Sequence, residues 1–381
     1  MRKVAVLGNG VTAKSVKSYL SKSKQFAEDS IENAELVVTS PGIPPYSWPK
    51  SSLEIISDIE FAFRIIKERG ISPTIIGITG TNGKTTVASG LAHLLGVSAY
   101  GNIGEPLINH VDELSSESLI VLELSSFQLV SSPLLTCDIA IITNISEDHL
   151  EWHQSFEKYE KAKLSIVKSS EQVVILPDEY MECISMGGRK IAISSIKSTK
   201  AWFDEAHNQS NFAIIEMVAN QLGISKTIIN ERLSSFQMPP FRFEKVPNQL
   251  GITIINDSKA TNMGATLAAV NSCNKVDVLI LSGQAKGAFS DSWADEILKK
   301  CKKIYVAGDL SKNNEVFPES MQSVIKYFST LKQATNGALT SQSGGVVLFS
   351  PGAASFDEFE NYLDRGRSFN QYIKEYEASK N

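Results

Sequence analysis

The chain has 381 residues, long enough for two or three domains of ordinary size, each with its own core. Hydrophobic residues make up 42% and charged ones 21%, a globular balance, and no apolar run is long enough to span a bilayer. The net charge of −5 argues against a general nucleic-acid binder. Cys137, Cys183, Cys273 and Cys301 are scattered with no Cys-x-x-Cys, which fits a reducing cytoplasm with neither a zinc site nor a disulfide framework.

In chain order, strand-like apolar runs occupy Val4–Leu7, Leu36–Thr39, Thr74–Ile78, Leu119–Leu122, Ile139–Thr143, Val173–Leu176, Ile252–Ile255, Val276–Leu281, Ile304–Val306 and Val346–Phe349. Helical patterns separate them, so the expected class is α/β with largely parallel sheets. Met1–Leu7 reads as a first strand rather than a secretory leader. Gly70-Ile71-Ser72-Pro73 and Met238-Pro239-Pro240 mark boundaries, predicting domains at 1–72, 73–238 and 239–381.

The first domain opens on Gly8-x-Gly10-x-x-Ala13 after a strand. Such a turn suits a nucleotide diphosphate. A dinucleotide needs an acidic residue closing a second strand; Glu28 and Asp29 stand near the right distance, but no strand is evident before them.

The most informative stretch is 75–86, Ile-Ile-Gly-Ile-Thr-Gly-Thr-Asn-Gly-Lys-Thr-Thr. A buried strand, a glycine turn and a helix with Val87, Ala88, Leu91, Leu94 and Leu95 at helical spacing make a phosphate cradle. Backbone N–H groups approach the oxygens, Lys84 reaches the terminal phosphates, and Thr85 can ligate Mg²⁺. Ile78 stands where the general pattern has its first glycine.

Glu123 ends the next buried run, where a carboxylate beside a phosphate loop serves as a Mg²⁺ ligand or remains a solvated strand end. His149 follows the run after that, in Asn144-Ile145-Ser146-Glu147-Asp148-His149, as a metal ligand, a substrate contact or a structural histidine. At 100° per residue, Phe156, Tyr159, Ile166 and Val167 share a helix face with Lys163 at its centre, while Lys158, Lys161 and Lys168 fall opposite. A lysine in that place snorkels, pairs or changes protonation. In the last domain, Asn256–Asn262, Ser282–Gly287 and Ser350–Asp357 are polar or glycine-rich turns after three strands. Together they predict a crevice for a small polar substrate at one sheet edge.

The chain resembles the Mur ligases, and among them the members that add D-glutamate. The resemblance rests on Gly77–Thr86, Gly101-Asn102-Ile103-Gly104, Glu123–Leu129, Glu147-Asp148-His149 with Tyr159-x-x-Ala162-Lys163, and His207-Asn208-x-x-Asn211. It continues through Arg242-Phe243-Glu244, Asn256–Asn262, Lys286-Gly287 and Ser350–Asp357. It implies three α/β domains with mostly parallel sheets: a Rossmann-like N-terminal one, a P-loop ATPase centre and a Rossmann-like C-terminal one. It also implies an ADP-forming ligase that joins UDP-N-acetylmuramoyl-L-alanine to D-glutamate through an acyl phosphate. The expected protein is a cytoplasmic monomer in peptidoglycan precursor synthesis, with neither nucleic acid nor membrane as partner.

By the same resemblance, Gly80, Thr81, Asn82, Gly83, Lys84, Thr85, Thr86, Asn208, Asn211, Arg242 and Asp257 bind ATP. Thr85 and Glu123 hold one Mg²⁺; His149 and Lys163, the latter carbamylated, serve a second. Asn102 contacts the muramoyl group. Val11, Thr12, Ser40, Pro41 and Gly42 form the uridine-diphosphate turns. Lys259, Thr261, Lys286, Ser355, Phe356 and Tyr362 shape the amino-acid pocket. The chain departs from the family in a shorter first domain with a strand reduced around 21–33, in Phe241 where histidine is usual, and in Lys286-Gly287-Ala288-Phe289, which lacks an aspartate. The alternatives are a related ligase adding L-glutamate and a nucleotide-binding scaffold that has lost ligation. A scaffold would have lost Lys84, Glu123, His149 and Lys163, which are present. A folylpolyglutamate synthase is disfavoured by the 256–262 and 350–357 stretches.

Overall fold

The computed structural model describes residues 1–50, 52–168, 170–182, 188–198, 206–284, 287–342 and 344–380; for 168, 171, 206 and 207 it describes the backbone only. The chain divides into two compact units, Met1–Gln237 and Met238–Asn381.

The first unit holds two parallel sheets. Strands β1 (Arg2–Leu7), β2 (Phe26–Glu28), β3 (Leu36–Thr39) and β4 (Ile55–Ser57) lie in the order β2-β1-β3-β4. Helix α1 (Val11–Lys22) packs Val16 and Leu20 into the core under this sheet. Helix α2 (Asp58–Glu68) is buried almost all round through Ile59, Phe61, Ala62, Phe63, Ile65 and Ile66. Its N-terminus explains why residues 1–72 belong to the same compact unit as the segment after them. Ser57 Oγ caps the helix by accepting from Glu60 N at 3.0 Å. The Glu60 carboxylate accepts from Leu134 N and Leu135 N at 3.1 and 3.0 Å, and Asp58 accepts from Gln128 Nε2 at 3.3 Å. Burial pushes the Asp58 carboxyl up to about 6, against the opposing bond from Gln128.

The second sheet runs β10-β9-β8-β5-β7-β6. It is built from β5 (Thr74–Thr79), β6 (Ala99–Gly101), β7 (Leu119–Glu123), β8 (Cys137–Ile142), β9 (Ser170–Leu176) and β10 (Arg189–Ala192), all parallel. Both faces of β5, β7 and β8 are buried, which is why they read as continuous apolar runs. Helices α3 (Lys84–Leu95), α4 (Ser126–Val130), α5 (Leu150–His153), α6 (Phe156–Lys168) and α7 (Ala206–Gln221) complete the part of this unit that carries the site.

The second unit has one sheet, β11-β12-β16-β13-β14-β15. Its strands are β11 (Glu244–Val246), β12 (Thr253–Asn256), β13 (Val278–Ser282), β14 (Ile304–Ala307), β15 (Ile325–Tyr327) and β16 (Val346–Gly352). β11 is antiparallel and the others are parallel. Alternate residues feed two cores. Ile255, Leu279, Leu281 and Leu348 point one way; Ile254, Val278, Ile280 and Phe349 point the other.

The strands expected from the apolar runs all form. The strands that the runs did not announce are β2, β4, β6, β10, β11 and β15, each of three or four residues, and each is the edge of its sheet. One of them corrects the reading of the first domain: β2 closes on Glu28 beside β1, so a second strand does precede the acidic pair. Among the described residues, no helix is long and apolar enough to cross a membrane.

Candidate active site

β8, β5 and β7 are adjacent and parallel, so their C-terminal ends share one edge. The glycine loop springs from the middle strand. Gly80 has φ 145°, and a Cβ there would lie 2.0 Å from Thr143 Oγ1, so no other residue fits between the loop and β8. The loop is tied to the turn after β8: Thr81 N donates to Asn144 O at 2.8 Å, Asn82 N to Asn144 Oδ1 at 3.0 Å, and Thr143 Oγ1 to Asn82 O at 2.5 Å. Thr85 and Thr86 stand in the first turn of α3, whose cap is Gly83. Asn208 and Asn211 of α7 are buried, and Asn211 Oδ1 lies against Gly83.

Lys84 and Lys163 meet on the same atom. Lys84 Nζ donates to Gly80 O at 2.8 Å and Thr81 O at 2.9 Å, while Lys163 Nζ donates to Gly80 O at 2.7 Å. Lys163 is 2% exposed, so it does not snorkel, and its ammonium lies 4.6 Å from the centre of the Tyr159 ring. Burial and then the neighbouring Lys84 charge hold its pKa well below the ordinary lysine value, against the opposing pull of Asp148 and Glu123. Lys158 and Lys161 are exposed as the helical pattern predicts; the Lys168 side chain lies outside the described residues.

Glu123 is also 2% exposed. Its Oε1 accepts from Asn102 Nδ2 at 2.9 Å, and its Oε2 is buried with no partner in the protein. Asn102 thus holds the glutamate directly. His149 occupies the left-handed region at φ 55° and caps α5, with Nε2 3.6 Å from Asp148 Oδ2 and its ring edge-on to Phe127. Two residues here were given no role by the sequence. Asp148 fixes the His149 turn by accepting from its N–H at 2.9 Å and lends negative charge to Lys163. His153, buried among Phe127, Trp152 and Tyr159, meets Ser126 Oγ at 2.9 Å; burial, then the charges of His149 and Lys163, lower its pKa to about 4, so it is neutral at physiological pH.

At the edge of the first sheet, β1 and β3 end side by side, with Ser40 N donating to Leu7 O at 2.9 Å. Val11 is 71% exposed at the start of α1 with Thr12 beside it, Pro41 and Gly42 continue the facing turn, and Ser40 Oγ is buried without a protein partner. Glu28 and Asp29 are paired with Lys17 at 2.8 Å and Lys3 at 2.9 Å.

In the second unit, β12, β16 and β13 are adjacent and parallel, so the polar turns after them do share one edge. Asp257 accepts from Phe243 N at 3.1 Å and Ser350 Oγ at 2.8 Å. Burial raises its pKa to about 7, against those bonds and the charges of Arg242 and Arg365. Arg242 is flanked by two strained residues, Phe241 at φ 59° and Phe243 at φ 54°. Lys259 Nζ lies 4.4 Å from the centre of the Tyr362 ring, Thr261 is half-buried, Ser355 is buried and Phe356 is 71% exposed. Lys286 lies outside the described residues. Arg365, which the sequence reading missed, is fully buried among these turns.

The Mur ligase middle domain matches residues 78–227, and the Mur ligase glutamate ligase domain matches residues 241–352. A UDP-N-acetylmuramoylalanine–D-glutamate ligase of Caldicellulosiruptor bescii is 31% identical, the match covering 92% of this chain and 86% of that protein. The same-named protein of a Hydrogenobaculum species is 31% identical, covering 97% of this chain and 95% of its own. The chain belongs to the Mur ligase family. This Mur ligase shares its fold with the MurF ligase of Thermotoga maritima solved with ADP, at TM-score 0.64 and 16% identity over 100% of this chain and 96% of that one. It shares it also with UDP-N-acetylmuramate–alanine ligase MurC of the same organism, at TM-score 0.59 and 15% identity over the whole of both chains. As a Mur ligase it is an ATP-dependent, ADP-forming acid–amino-acid ligase.

Proposed function

We propose that this Mur ligase joins UDP-N-acetylmuramoyl-L-alanine to D-glutamate, in the cytoplasm and as a monomer. The observation that carries the reading is the convergence of Lys84, Lys163 and Glu123 on the phosphate loop, in a chain whose relatives bear that activity in their names.

In this reading residues 1–72 hold the uridine diphosphate through Val11, Thr12, Ser40, Pro41 and Gly42, residues 73–238 hold ATP, and residues 239–381 hold the amino acid. The orphaned Ser40 Oγ is a hydroxyl ready for a phosphate oxygen. Gly80 through Thr86 wrap the triphosphate with backbone N–H groups; Asn208, Asn211, Arg242 and Asp257 serve the rest of the nucleotide. Lys84 exchanges its loop carbonyls for phosphate oxygens. The substrate carboxylate attacks the γ-phosphorus, forming an acyl phosphate as the bond to ADP breaks. The amine of D-glutamate then adds to the acyl carbon, and inorganic phosphate leaves as the amine loses its proton. Both steps depend on positioning and on neutralising phosphate charge. Lys259, Thr261, Lys286, Ser355, Phe356 and Tyr362 orient the amino acid.

The residues fit divalent cations. Glu123 Oε2 is a buried carboxylate oxygen with no protein partner, and the Thr85 hydroxyl stands at the head of α3. Among the described residues no three His, Cys, Asp or Glu side chains gather as a ligand set, which suits Mg²⁺ held by one or two protein oxygens, phosphates and water. Glu123 and Thr85 would hold one ion, His149 and Lys163 a second, and the ions would supply charge neutralisation at the phosphates. Lys163 fits a carbamate: burial and the Lys84 charge favour its uncharged amine, the form that bonds to the carbon of CO₂ and gives up one proton to solvent, and the resulting anion removes the clash with Lys84.

Phosphate release with UDP-N-acetylmuramoyl-L-alanine and ATP, comparing D-glutamate, L-glutamate and no amino acid, tests this. Sustained release with D-glutamate alone is expected. Equal rates with L-glutamate, or release independent of the amino acid, would refute the assignment.

A further inference from the structure

Arg365 lies in the first turn of the last helix, Tyr362–Ala378, with 0% of its surface exposed. Its guanidinium makes four hydrogen bonds, and they reach three different turns. Nε donates to Ser258 Oγ at 3.1 Å and Nη2 to Ser258 O at 2.8 Å. Nη1 donates to Ser282 O and to Ala353 O, both at 2.9 Å. Those residues follow β12, end β13 and follow β16. Gly283 makes the approach possible: at φ 128°, a Cβ there would lie 2.1 Å from Ala354 O and 2.9 Å from Nη1. Asp257 and Asp357 act on the guanidinium at longer range.

A buried charge is commonly paired with an opposite one; here the acceptors are a hydroxyl and three carbonyls from three separate turns. Arg365 faces the C-terminal edge of the sheet, where α/β proteins bind ligands. Two of the turns it grips adjoin residues assigned to the amino acid: Ser258 precedes Lys259 and Ala353 leads to Ser355; the third, at Ser282, ends β13 on the same edge. We propose that Arg365 is the positioning residue of the amino-acid pocket, its planar fork locking the Ser258, Ser282 and Ala353 turns in one arrangement that receives the carboxylates of the incoming amino acid. The proposal rests on the reading of this edge as the amino-acid side. Lysine offers three donors from a single point and cannot span three turns, so the fork, not only the charge, is required.

The test is initial-rate kinetics of the full chain with D-glutamate and ATP varied in turn, for Arg365→Lys and for Ser258→Ala. Arg365→Lys is expected to raise the KM for D-glutamate by roughly tenfold or more, with the KM for ATP within about twofold. Ser258→Ala, which removes one of the four acceptors, raises the D-glutamate KM by about two- to fivefold. Equal rises for both substrates, a fall in kcat with the D-glutamate KM unchanged, or wild-type behaviour of Arg365→Lys would overturn the proposal. If thermal melting shows that Arg365→Lys does not fold, an unchanged D-glutamate KM in Ser258→Ala overturns it alone. Failure of the underlying function is a different result: the wild-type protein then shows no turnover that depends on D-glutamate.

Discussion

Lys163 and Arg365 are both buried cations at the C-terminal ends of adjacent parallel strands, and they are housed in opposite ways. Arg365 has four acceptors spread over three turns. Lys163 has one carbonyl, Gly80 O, which it shares with the ammonium of Lys84. Burial lowers both, Arg365 only to about 9, so it stays charged at neutral pH, whereas Lys163 falls well below the usual lysine range. A buried charge persists when its donors are satisfied. The contrast therefore separates a permanent structural cation from a lysine prepared to be something other than an ammonium.

The largest effects should come from the phosphate side of that contrast. Lys84→Ala loses the only cation the glycine loop itself carries, and turnover should fall by about a thousandfold or more at saturating ATP. Glu123→Ala should be similarly impaired, and added Mg²⁺ should not restore it. Near-normal turnover in either variant would mean that the loop does not carry the chemistry.

If Lys163 supports a metal ligand set as proposed, Lys163→Ala should lose about a hundredfold or more in turnover while still folding. Acetate or formate should partly rescue it, and a neutral amide of similar size should not. Rescue by a primary amine would show that the working group is an ammonium, and the contrast with Arg365 would collapse.

Arg242→Ala and Asp257→Ala sharpen the comparison within the second unit. Both should raise the KM for ATP by about tenfold and that for D-glutamate much less, the reverse of Arg365→Lys. A D-glutamate effect as large as the ATP effect would remove the distinction between the two sides of this edge.

The smallest expected effect is on stability. Asp257 keeps its proton to about pH 7 in the folded chain, against an ordinary value of 3.8. Between those values the folded state holds the extra proton, so the contribution is complete below about pH 4 and is lost as pH rises through about 7. Wild type should therefore lose stability relative to Asp257→Asn over that window, by something on the order of 1–4 kcal/mol. Melting temperatures of both proteins across the window check this, and a parallel pH dependence would show that Asp257 titrates normally.

What the sequence disclosed follows the same physics. Central strands such as β5 and β13 are buried on both faces, so their apolar runs are unmistakable. Edge strands such as β2 (Phe-Ala-Glu) and β15 (Ile-Lys-Tyr) are paired on one side only and too short for a period to show. Lys163 was legible because it interrupts an apolar helix stripe. Arg365 carries a comparable signal: with Phe369 and Ile373 it stands at i, i+4 and i+8 on the buried face, but its charged neighbours Asp364 and Arg367 blur the stripe. His153 meets a serine hydroxyl 27 residues away, a contact between segments that no local pattern announces, and Asp148 caps the turn N–H of its own neighbour His149, a role shared by many turn aspartates.

The direct test of the contrast is carbon-13 NMR of the protein equilibrated with ¹³C-bicarbonate, run on wild type, Lys163→Ala and Lys84→Ala. A carbamate carbonyl signal that is present in wild type and absent in Lys163→Ala is expected, weaker in Lys84→Ala because removing the neighbouring ammonium relieves the pressure on Lys163 to lose its proton. No such signal in wild type, or one that survives Lys163→Ala, would contradict the account.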